Sequence, residues 1–158
     1  MNLPNFITSS FASVREAFLK QLGLRPADCP CCGQMAKHYR RSIHRKMAVA
    51  LAFLYREDQK RPGDWVNVRE IYGPGLSGDY AKLRHWGLIE PKDTRTKTVN
   101  SSGFWKITET GKNFVRNGAA IPKYAFVFDN VCLKTEGPPI TFFECAGKKF
   151  DYDQVVNR

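Results

Sequence analysis

The chain has 158 residues, 42% of them hydrophobic and 25% charged, which fits one compact domain or one domain with a small appendage and excludes a chain that is mostly disordered. Twenty-five Lys and Arg against fifteen Asp and Glu leave a net charge of +10, which favours polyanionic partners such as DNA, RNA or an acidic protein face. No apolar stretch approaches a membrane span, and Met1 to Phe6 lack the basic-then-apolar order of a secretory leader; a cytoplasmic protein with no membrane partner is expected.

The charge is uneven. Residues 29–56 carry +6 and residues 92–118 carry +4, while the other segments nearly cancel. No acidic residue falls between Asp28 and Glu57. A charge serving only solubility would be spread more evenly.

In chain order, Phe11, Val14, Phe18 and Leu22 predict a helix over 10–22, with Ser13 and Glu16 spaced like a capping box and Gly23 at its C-terminal stop. A loop from Leu24 to Met35 holds three cysteines, and Lys37–Arg41 follows as a short extended stretch. Ser42 is placed to cap a second helix over 43–56, whose stripe is Ile43, Met47, Ala50, Leu51 and Leu54. Pro62-Gly63-Asp64 turns the chain into a short strand, Trp65–Val68, and a small helix, Arg69–Tyr72. Gly73-Pro74-Gly75 breaks that helix.

A third substantial helix is predicted from Ser77 or Gly78 to Trp86, stopped by Gly87. Leu88-Ile89-Glu90 starts a strand, Pro91–Gly103 is a polar loop, and Phe104–Ile107 returns as a strand. Thr108 caps a helix to Arg116. Tyr124–Phe128 and Val131–Leu133 flank Asp129-Asn130 as a β-hairpin. Ile140–Cys145 fits a strand or a short helix, and the tail around Phe150-Asp151-Tyr152 is suited to docking on the core.

The run Leu83-Arg84-His85-Trp86-Gly87-Leu88-Ile89-Glu90, a polar loop, then Trp105-Lys106-Ile107-Thr108-Glu109-Thr110-Gly111-Lys112-Asn113-Phe114 resembles the second half of a winged helix-turn-helix of the MarR or PadR kind. The resemblance covers about a third of the chain, or half if the 43–56 helix is the first of the domain. It implies an α+β protein: a winged helix over 42–118, an N-terminal helix and zinc-knuckle-like loop over 1–41, and a C-terminal β-hairpin extension over 119–158. Two departures stand out: the helix before the presumed recognition helix is short and ends in Pro74-Gly75, and Asp79 near the start of that recognition helix repels phosphate.

The resemblance further implies duplex DNA as partner, with Ser77, Tyr80, Lys82 and Arg84 facing the major groove and Lys92, Arg95 and Lys97 of the wing along the backbone. Lys37, Arg40, Arg41, Arg45 and Lys46 form the second basic segment. Tyr80 fits core packing equally well. Trp86 fits either a core cover or an exposed anchor for a protein partner.

Cys29-Pro30-Cys31-Cys32-Gly33 contains a Cys-Pro-x-Cys-Gly half-site, in which two thiolates two residues apart grip one tetrahedral ion. Cys29, Cys32, His38 and His44 are the candidate ligands of a structural zinc, with Cys31, Cys132 and Cys145 as alternatives. The competing reading is a tight turn of reduced cysteines.

No phosphate-binding glycine loop, H-E-x-x-H or deaminase signature is present, so a binding protein and not an enzyme is expected. Three functions compete: a DNA-binding transcription regulator; a protein-interaction module docking on an acidic face of a host complex, similar to uncharacterised phage-encoded proteins; and a binder of single-stranded nucleic acid through His38-Tyr39-Arg40-Arg41. A homodimer through the first helix is a further expectation.

Overall fold

The computed structural model describes residues 10–92 and 103–157. It is an α+β protein with open antiparallel sheets. Its centre is helix α2, Arg45–Lys60, which touches most other elements of the core. Met47, Ala48, Ala50, Leu51, Ala52, Leu54 and Tyr55 are all buried along it, so it is covered on more than one side and not on a single stripe. The alanines let neighbours approach closely.

Two acids near its C-terminal end, Glu57 and Asp58, are also buried and each has a cation. Glu57 meets Arg56 at 3.1 Å and Lys60 at 3.0 Å. Asp58 meets Lys112 at 2.9 Å and accepts from the amide of Gly63 at 3.0 Å. Buried carboxylates persist only with such partners.

Strand β4 (Val66–Asn67), helix α3 (Val68–Tyr72), strand β5 (Ile89–Pro91) and strand β6 (Phe104–Ile107) follow α2. The strands form a sheet in the order β4-β6-β5, with Val66 opposite Trp105 and Ile89 opposite Ile107. Between α3 and β5 lies the expected helix over Gly78–Trp86, which is of the 3-10 kind. Tyr80, Leu83 and Trp86 are its buried residues. They recur every third position, the repeat that puts one face of a 3-10 helix inward. Gly87 is left-handed at φ 67° and reverses the chain into β5.

Thr108 accepts from the amide of Gly111 and caps helix α4, Glu109–Asn117. Strands β7 (Ile121–Phe128) and β8 (Val131–Ile140) make a long hairpin whose turn residues Asp129 and Asn130 both have positive φ, 46° and 60°, as a two-residue hairpin turn of the type I′ class requires. Strand β3, Tyr39–Ser42, adds to the other side of β7, giving the order β3-β7-β8. Helices α5 (Phe142–Ala146) and α6 (Tyr152–Val156) close the chain against α2. Phe142 is the hinge of that packing, with edge-on contacts to Phe114, Phe150 and Tyr152.

The N-terminal part sits beside this core. Helix α1, Phe11–Leu22, is capped by Ser10 and not by Ser13, and Gly23 closes it in right-handed geometry (φ −64°). Two short strands, β1 (Ala27–Asp28) and β2 (Met35–Ala36), pair across the cysteine turn. No helix among the described residues is long and apolar enough to cross a membrane.

Candidate nucleic-acid interface

The β3-β7-β8 sheet has one face in the core and one outside. Opposed residues of an antiparallel pair share a face. Arg41 lies opposite Ala125 and Tyr39 opposite Val127, and both β7 partners are buried. Arg40 opposite Phe126, and Ser42 opposite Tyr124, therefore lie on the outer face. Across the hairpin, Lys134 is opposite Phe126 and Glu136 opposite Tyr124.

That outer face carries planar rings with cations set over them. The guanidinium of Arg40 is 4.6 Å from the ring centre of Tyr124, and the ammonium of Lys134 is 5.0 Å from that of Phe126. The His38 ring stands edge-on to Phe126 at 5.0 Å, and its Nδ1 is 2.7 Å from the carbonyl oxygen of Leu22. Lys123 also approaches Tyr124, at 5.8 Å. The acid on this face, Glu136, is held by Lys134 at 2.7 Å. Gly137 makes room for the arrangement: a β-carbon there would lie 2.4 Å from the Tyr124 ring. Helix α1 caps one end, with Phe18 edge-on to Phe128 at 6.0 Å.

All four residues of the edge strand β3 are exposed. On its other side, Tyr39 has Lys37 and Arg41 over its ring at 5.8 Å and 5.7 Å. A depression at the junction of β3 with the start of α2 is lined by Arg40, Arg41, Ser42, His44, Asp79 and Lys82. The α2 terminus there has no side-chain cap and no acid in its first turn, and Arg45 and Lys46 beside it are exposed, so the positive end of the helix dipole adds to the cationic field.

Asp79, at one wall of the depression, is bound to Lys82 and Ser77, with His44 at 3.6 Å. Hydrogen bonds from Lys82 and then Ser77 hold its carboxyl below the usual range. His85 is held below the ordinary histidine value, first by burial and then by Arg84, Lys82 and Arg41.

The structure thus sets Arg40 and Arg41, from the first basic segment, beside Lys82 and the start of α2. It removes two expected contact residues. Tyr80 is buried with its ring edge-on to Trp105 at 5.9 Å. Trp86, considered as an exposed partner anchor, is 7% exposed and donates from Nε1 to the carbonyl oxygen of Pro122 at 2.7 Å. Both belong to the inward face of the 3-10 helix. Ser77 is engaged as the N-cap of that helix. Lys92 lies 5.8 Å over the Phe104 ring, and Arg95 and Lys97 lie outside the described residues.

Tyr124, Phe126, Lys123 and Lys134 are the members that sequence reasoning missed. The signal for them was the aromatic alternation Tyr124, Phe126, Phe128, which puts three rings on one face of a strand.

The proposed zinc ligands do not come together. Cys29 and Cys32 share one turn with Cys31. His38 is tied to Leu22 and Phe126, and His44 stands before α2, facing Asp79. Among the described residues no three His, Cys, Asp or Glu side chains form a group able to hold a metal ion. The Cys29 thiol is nevertheless pulled below its ordinary value, first by the amide of Cys31, then by the amide and thiol of Cys32.

No protein-family model, curated protein or solved structure matches this chain.

Proposed function

We propose that this protein binds single-stranded nucleic acid across the outer face and free edge of the β3-β7-β8 sheet. The observation that carries the reading is the pairing of rings with cations on that face, with Arg40 over Tyr124 at 4.6 Å and Lys134 over Phe126 at 5.0 Å. Single strands offer unstacked bases and phosphates together. Aromatic planes take the bases and neighbouring Lys and Arg take the phosphates. In a duplex the base faces are already stacked, and such a surface would meet phosphate alone.

The finer fold supports this assignment of roles. We read residues 42–118 as a winged helix-turn-helix: α2, β4, α3, the 3-10 helix, β5 and β6 follow one another, and β6 lies between β4 and β5. The segment in the recognition position has Tyr80, Leu83 and Trp86 inward and is packed against β7 and β8. Of its nine residues only Gly78 and Arg84 are exposed, the others being buried or half-buried. A groove-reading helix must present a side chain-rich face about as wide as the major groove, and this one is used for packing. The winged helix then serves as scaffold, and the added hairpin carries the site.

The test is a titration of labelled oligonucleotides, single-stranded and duplex of one sequence, across a range of salt. Tighter binding of the single strand is expected, weakening with salt by a slope of about 0.7 per phosphate engaged. Tyr124→Ala and Phe126→Ala should each cost about 1–3 kcal/mol of binding, roughly five-fold to 150-fold in affinity. Stronger duplex binding that survives both substitutions but is lost in Lys82→Ala or Arg84→Ala would restore the groove-reading alternative.

A further inference from the structure

We propose that the depression between β3, the start of α2 and the 3-10 helix receives a phosphate monoester at one end of the bound strand, held by Arg40, Arg41 and Lys82. This inference rests on the single-strand reading above and adds to it a place where the strand stops. The hollow is built from separate elements. Consecutive residues of a strand point to opposite faces, yet Arg40 and Arg41 both line it, so it sits at the free edge of the sheet. Lys82 enters from the 3-10 helix, a different part of the chain. Its ammonium has three N–H donors, so its bond to Asp79 leaves others for a phosphate oxygen.

The charges in the hollow do not balance. Lys82 is matched by Asp79. Arg40 and Arg41 are set over the rings of Tyr124 and Tyr39, at 4.6 Å and 5.7 Å, and among the described residues neither forms an ion pair with an acid. A ring face attracts a cation without neutralising it. Arg45 and Lys46 lie exposed alongside, and the field of the α2 terminus has the same sign. Like charges gathered this way repel one another, and an anion in the hollow offsets the repulsion. An interior phosphate of a strand carries one negative charge. A terminal monoester carries about 1.5 to 2 at neutral pH and offers three acceptor oxygens, which matches two guanidinium groups that each bind in a fork.

Position links the hollow to the ring face. Ser42 lines it and lies opposite Tyr124 on the outer face, and Arg40 belongs to both, since its guanidinium covers the Tyr124 ring. A strand with a base at Tyr124 therefore has the hollow next to it. On the 3-10 helix side the wall is Asp79. Hydrogen bonds from Lys82 and Ser77 favour its ionised form, so it repels a second phosphate brought past the first. A strand that continued through the hollow would meet that charge, whereas one that ends there does not. Asp79, which argues against groove reading, is in this arrangement the stop.

The experiment measures binding of the full chain to one short single strand prepared with hydroxyl ends, with a 5′-phosphate or with a 3′-phosphate. One of the two phosphates should tighten binding by about ten-fold to a hundred-fold, the range of a charged hydrogen-bonded contact. Arg41→Ala and Lys82→Ala should each bring the ratio of phosphate-ended to hydroxyl-ended affinity toward one. Tyr124→Ala should weaken both strands in proportion and leave that ratio as it was. Asp79→Asn should tighten the hydroxyl-ended strand, because interior phosphates can then pass, a gain that a misfolded variant could not produce. Strand binding with no preference for a phosphorylated end would overturn this inference and leave the single-strand reading standing. A preference that survives both Arg41→Ala and Lys82→Ala would do the same, as would binding of inorganic phosphate with no tightening of either phosphate-ended strand. No binding of any single strand would overturn both.

Discussion

A β-carbon on Gly111 would lie 2.2 Å from the carbonyl oxygen of Leu88 and 2.7 Å from Cγ1 of Ile107. The close approach has a purpose. Thr108 donates from its hydroxyl to the carbonyl of Gly87 and accepts from the amide of Gly111, so the first turn of α4 is fastened onto the bend that leads into β5. Replacing Gly by Ala in a helix gains about 1 kcal/mol of propensity. Overpacking against an immobile backbone carbonyl costs about 1–3 kcal/mol. The clash wins, so Gly111→Ala is expected to lower the denaturation midpoint, and a chemical unfolding curve with unchanged slope would measure it. A stabilised variant would show that α4 can lift away from Leu88. Thr108 as a cap and Gly87 as a left-handed stop were legible in the sequence, because each is a local requirement of the backbone. The need for glycine at 111 was not, because it arises from contact with the carbonyl of Leu88, twenty-three positions away.

Among the elements, the helix Gly78–Trp86 is where the sequence leaves the kind of helix open. Apolar residues three apart suit both an α-helix and a 3-10 helix. The distinguishing sign lies four residues on: an α-helical stripe through Tyr80 would continue at Arg84, whereas Tyr80, Leu83 and Trp86 keep a strict period of three. Leu83 is fully buried and Arg84 is exposed. Leu83→Ala is therefore expected to cost about 2–5 kcal/mol of stability, and Arg84→Ala less than about 0.5 kcal/mol. Thermal unfolding of the two variants compares them directly, and similar small effects would mean that the segment is only loosely docked.

The hairpin gives a second contrast. Asp129-Asn130 announced its turn, but β8 was expected to end near Leu133. It runs on through Gly137-Pro138-Pro139 to Ile140 because it is an edge strand, where proline lacks no needed hydrogen-bond donor. The partnership of β3 with β7, which creates the candidate site, joins residues more than eighty apart. No local pattern specifies such a register.

Across the whole molecule, the buried cluster is continuous from Ile43 to Val156, and the C-terminal extension is part of it through Ile121, Ala125, Val127, Phe142 and Cys145. The zero net charge of that extension hid its role, since charge totals do not show that its rings gather on one face. Helix α1, by contrast, contributes one buried residue, Leu22, and the β1-β2 hairpin only Ala27. Burial of apolar surface sets how far each part can open on its own. Amides of α2, β6 and β7 should therefore exchange with solvent slowest and at a common limit. Those of α1 and of residues 27–36 should exchange faster, by a factor of ten for each 1.4 kcal/mol or so of lower opening energy. Hydrogen exchange read by mass spectrometry tests this, and equal protection of residues 11–36 and the core would refute it.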